Sequence, residues 1–84
     1  MISLDKACEI ATKANNEPYI STIIETQSGY IIATLAADGC EADVSPLIIS
    51  KDTGAAAVFF PPMHANELKS GKPLDVPGEY RKPN

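Results

Sequence analysis

The side chains suited to nucleophilic or soft-metal chemistry are few: two cysteines, Cys8 and Cys40, and a single histidine, His64. A serine or cysteine nucleophile needs a base that a third group holds in place, so one histidine limits the chain to one such arrangement. His64 follows Pro61, Pro62 and Met63, past the last clear strand pattern, and reads as a loop residue. Cys8 has Lys6 nearby in a first helical turn, where thiol pKa values fall, yet it lies on an apolar stripe and reads as a core side chain. Cys40 sits in a polar loop and is expected to be accessible. No catalytic residue is expected from this set.

Metal chemistry has an equally thin basis. Asp38, Glu41 and Asp43 crowd around Gly39 and Cys40, but their spacing departs from the D-x-[DN]-x-[DN]-G calcium loop and no bidentate Glu follows. Cys40, His64 and these acids are scattered single ligands, not a zinc pattern, and no Gly-rich phosphate loop is present. No metal and no cofactor is expected. As an acidic rim that steers a basic protein partner, Asp38, Glu41 and Asp43 form the candidate partner-binding set. Two other readings stand beside it: a small ligand-binding protein or enzyme built on Cys40, His64 and the acidic loop, and an oligomerising structural domain.

Bulk properties narrow the class further. A net charge of −4 with only seven Lys and Arg opposes nucleic-acid binding, which needs clustered cations. Eighty-four residues allow one core, expected over residues 3–62, and the absence of Trp leaves that core to Ile, Leu, Val and Ala. Met1 to Lys6 shows no basic n-region leading into an apolar run, so a cytoplasmic, membrane-free protein is expected.

Positioning falls to a helix and two hairpins. Ser3 can cap a helix whose Leu4, Ala7, Cys8, Ala11 and Ala14 recur at three- and four-residue steps, with Ile10 at the flank and Asn15 to Pro18 at the end. Tyr19 to Gln27 reads as a strand with Ile20, Thr22 and Ile24 on one face and Ser21, Ile23 and Glu25 on the other. Ser28-Gly29 turns it into a second strand, Tyr30 to Ala37. Pro46 opens a third, and Lys51-Asp52-Thr53-Gly54 should reverse the chain into Ala55 to Phe60. Gly71, Pro73, Pro77, Gly78 and Pro83 break later patterns, so residues 71–84 are expected to be an irregular tail. The expected fold is α+β: an N-terminal helix on a four-stranded antiparallel sheet, ordered helix, hairpin, hairpin. Both faces of the second strand carry apolar residues and one helix can cover only one, so association through a sheet face or edge is expected.

The run Pro46-Leu-Ile-Ile-Ser-Lys-Asp-Thr-Gly54, an apolar strand entering a Lys-Asp-x-Gly turn, resembles bacterial immunity protein family thirty-five. The order of elements from Leu4 to Phe60 is similar as well. The resemblance implies an inhibitory module that binds a toxin made by the same cell, without catalysis. Members tend to place tryptophan or another large aromatic in the first hairpin, where this chain has Tyr30 and no tryptophan. Tyr30 stands with Asp38, Glu41 and Asp43 among the candidate partner-binding residues. The same strand, turn and strand are also similar to the peptidase propeptide and YpeB-type domain, whose roles are inhibitory or regulatory.

Overall fold

The computed structural model describes residues 1–36, 46–59 and 69–81. Helix α1, Leu4–Asn15, starts where Ser3 Oγ accepts the Lys6 backbone N–H at 3.2 Å. Asp5 in the first turn and Lys13 in the last oppose the helix dipole. Asn16 ends the helix in the left-handed region, φ 54°, a conformation that asparagine tolerates. The Asn15 amide donates to Thr34 Oγ1 at 3.1 Å and ties this end to the sheet.

Among the described residues, five antiparallel strands follow: β1 (Tyr19–Glu25), β2 (Gly29–Leu35), β3 (Leu47–Ser50), β4 (Ala56–Val58) and β5 (Lys72–Leu74). They lie in the order β4-β3-β2-β1-β5. A helix on an antiparallel sheet is thus the architecture, with one more strand than the hairpins suggest. The fifth lies in the stretch expected to be irregular. Proline lacks an N–H, so Lys72 and Leu74 carry the ladder to β1 and the Pro73 nitrogen faces outward, where a strand accepts proline. Leu74 stands opposite Ile23 and, with Val76 and Tyr80, packs against the core. A 3-10 turn, Gly78–Tyr80, completes this strap.

Ala7, Cys8 and Ala11 are fully buried against Ile20, Ile23, Tyr30, Ile32, Leu47 and Ile49. Small helix residues bring the axis close to the sheet, so the isoleucines supply most of the area taken from water. The faces of β1 differ from strict alternation. Ile20 pairs with Thr34 but Thr22 pairs with Ala33, so Ser21 is the extra residue of a bulge. Its hydroxyl donates to the Ala33 carbonyl at 3.3 Å. Beyond the bulge the parity changes, which puts Ile20 and Ile23 together under the helix and Thr22 outside.

The first turn also moves by one residue, to Gln27–Ser28, and Gly29 becomes the first residue of β2. Buried Thr26 holds it: Thr26 N–H donates to the Gly29 carbonyl at 2.8 Å, and Gly29 N–H donates to Thr26 Oγ1 at 3.0 Å.

The second turn matches its sequence. Gly54 has φ 75°, its N–H reaches the Ser50 carbonyl at 2.9 Å, and an added Cβ would lie 3.2 Å from Ile10 Cδ1. Gly54→Ala is therefore expected to cost about 1 kcal/mol or more, read as a lower midpoint in urea unfolding. An unchanged midpoint would reject the left-handed turn as the reason for glycine here.

Candidate functional site

Of the expected partner-binding residues, Asp38, Glu41 and Asp43 lie outside the described residues, as do Cys40 and His64. Tyr30 is described, and it is only 7 % exposed. Its ring belongs to the core under α1, with the Lys51 ammonium 5.2 Å from the ring centroid. β2 is the central strand, and Tyr30 lies on its helix side. Cys8 is buried, as its place on the helix stripe implies. Burial pushes its thiol up to about 11, helped by the carboxylates of Asp5 and Glu79, so little thiolate exists near neutrality.

An open cleft of about 380 Å³ is lined by Glu25, Thr26, Gln27, Lys51, Ser70 and Lys72. The sheet register places Glu25 opposite both Tyr30 and Lys72, so these side chains share a face. Lys51 Nζ sits 3.1 Å from Glu25 Oε2, with the lysine side chain only 16 % exposed. Its charge is thus met by a carboxylate on one side and an aromatic face on the other. Among the described residues, the cleft is lined by no imidazole or thiol, and the one carboxylate, that of Glu25, is engaged by lysine. Among the described residues, no group of three or more His, Cys, Asp or Glu could hold a metal ion.

A different feature emerges at the two sheet edges. On one, Pro73 presents a carbonyl but no donor, and Lys72 supplies a charge, two devices that discourage strand addition. The other edge is β4, Ala56-Ala57-Val58, which has neither proline nor charge and is exposed throughout. Val58 is 59 % exposed, a high value for a large apolar side chain. Ser50 N–H donates to the Ala55 carbonyl at 2.9 Å and Phe59 N–H to the Pro46 carbonyl at 2.8 Å, so alternate residues 55, 57 and 59 face β3. The N–H and C=O of Ala56 and Val58 therefore point out of the sheet edge.

The face away from α1 has its own pattern. Pro73, Ile24, Ile31, Ile48 and Ala57 stand opposite one another in successive strands, forming an apolar row across the whole sheet. Ile31 is 5 % exposed, while Ile24 and Ile48 are half-buried. The row ends at β4 beside a shallow groove lined by Ser28, Ile48, Ser50, Ala55 and Ala57. The composition of β4 is plain in the sequence, but its position at an edge depends on strand order, which no local pattern encodes.

Compared with family models, curated proteins and solved structures, the chain matches none. Among the described residues, no helix is long and apolar enough to cross a membrane.

Proposed function

We propose that this chain is a protein-binding module that works by strand addition at β4. The observation that carries the reading is the contrast between edges: proline and lysine guard β5, whereas β4 offers Ala56 and Val58 with unguarded backbone groups. An incoming strand gains main-chain hydrogen bonds there and meets the exposed Val58 side chain. Inhibition of a basic toxin domain is the particular form that the resemblance to immunity proteins suggests, with Asp38, Glu41 and Asp43 steering the encounter in a chain of net charge −4. The test is titration of the purified product of the neighbouring gene with the wild-type chain and with Val58→Pro. Proline removes an outward N–H and leaves the inward ladder intact, so binding should weaken at least about tenfold. Equal affinity for the two would remove β4 from the account.

A further inference from the structure

We infer that the strand taken up by β4 in the pure protein is the β4 of a second copy, paired antiparallel about a two-fold axis through Ala57. The inference rests on the proposed docking edge and names its occupant. Three observations favour a copy over an unrelated strand.

The first is backbone matching. Ala56 and Val58 are the residues whose N–H and C=O point outward. With the axis at Ala57, Ala56 of one copy lies opposite Val58 of the other, so each such pair exchanges two N–H···O=C bonds. Neither copy is left with an outward group of these residues unmet.

The second is side-chain fit. Ala56 and Val58 stand opposite Ile49 and Leu47 and share their face of the sheet, so the large Val58 meets a small Ala56 across the axis. Alanine meets alanine on the reverse face. No charged side chain lies between Thr53 and Phe59, so no like charges face each other along the paired strands.

The third is continuity. The apolar row Pro73, Ile24, Ile31, Ile48 and Ala57 ends at the proposed axis. Joining the copies there extends it directly into the same row of the second copy, and the Ile48 and Ala57 groove lies beside the join. An unrelated strand would have to bring its own apolar continuation.

Three residues per copy bury well under the ~1,200 Å² of a standard interface, so the dimer is weak, with a Kd of about 10 μM to 1 mM. Each copy carries −4, and the mutual repulsion is screened by salt. Dimerisation should therefore strengthen as salt rises, opposite to the behaviour of a complex with a basic partner.

The experiment is sedimentation equilibrium of the pure full chain from about 10 μM to 1 mM at low and high salt, with amide exchange followed at Ala56 and Val58. Expected are a reversible monomer–dimer equilibrium, tighter at high salt, and protection of both amides that grows with concentration. Val58→Pro and Val58→Lys should each weaken dimerisation at least tenfold while the melting curve shows both variants folded. If Val58→Pro fails to fold, Val58→Lys carries the test, because it keeps every backbone group. A monomer at 1 mM, or a dimer that both folded variants leave unchanged, overturns the inference. The broader reading fails separately: a monomeric wild type whose neighbouring-gene complex is still lost in Val58→Pro refutes the copy and keeps the docking edge. Loss of neither refutes both.

Discussion

Gly29→Ala is expected to destabilise the protein by about 3 kcal/mol, the upper end for forcing extra volume into a packed site. A Cβ at this position would collide with the Ile49 carbonyl oxygen and lie 3.1 Å from its carbon. Gly29 stands opposite Ser50 in the β2–β3 ladder and is held from the other side by both hydrogen bonds to Thr26, so the backbone has little room to withdraw. The cost is one of contact, since Gly29 has no positive φ. For a chain of this size it should lower Tm by more than about 10 °C. Gly78→Ala is the control, because nothing lies within 4 Å of a Cβ there. Thermal unfolding of the two variants side by side decides the matter: equal melting temperatures would show that β2 and β3 do not approach this closely.

The second large effect is alkaline. The Cys8 thiol is neutral when protonated, and burial, then Asp5 and Glu79, raise its pKa from about 9.0 to about 11. A folded-state pKa above the unfolded value means that the unfolded chain loses its proton first. The associated stability is complete below about pH 9 and is lost as pH rises toward about 11, a total of about 2 to 3 kcal/mol. Tyr80, whose pKa is raised first by desolvation and then by Glu79, adds to the same trend. Urea unfolding at a series of pH values should show stability falling between pH 9 and 11 in the wild type and falling less in Cys8→Ala. Parallel curves for the two proteins would assign the alkaline loss to other groups. Below pH 8, thiol reagents should leave Cys8 unmodified until the chain unfolds.

Local physics explains why some elements can be read directly from the residues. Ser3, the Ala7, Cys8 and Ala11 stripe and Asn16 define α1 through capping and periodicity, and Gly54 defines its turn through positive φ. Where a strand's face depends on a neighbour, the pattern misleads. Ile20 and Ile23 are three apart, incompatible with one face of a regular strand, and only the Ser21 bulge against Ala33 reconciles them. The same applies to β5: Lys72-Pro73-Leu74 has no strand signature of its own, and its pairing depends on the open side of β1 and on Leu74 reaching Ile23. The burial of Tyr30 is not legible either, because nothing in its segment reveals that β2 is central. Strand order is a long-range property, and the candidate docking edge inherits that invisibility. The acidic residues Asp38, Glu41 and Asp43 are legible as charge alone.

The unequal edges set a valence. In polymer terms, a monomer with two reactive ends propagates into a chain, while one with a single reactive end stops at the first coupling. Pro73 withholds the donor that an incoming strand would need on the β5 side, so on the proposed reading each molecule is monofunctional, with β4 as the unguarded edge among the described residues. On that reading, strand addition at β4 uses up this edge, and growth into a fibril has no next step. Replacing Pro73 with a residue that carries an N–H would convert the molecule into a bifunctional monomer, with β4 of one chain able to couple to β5 of the next.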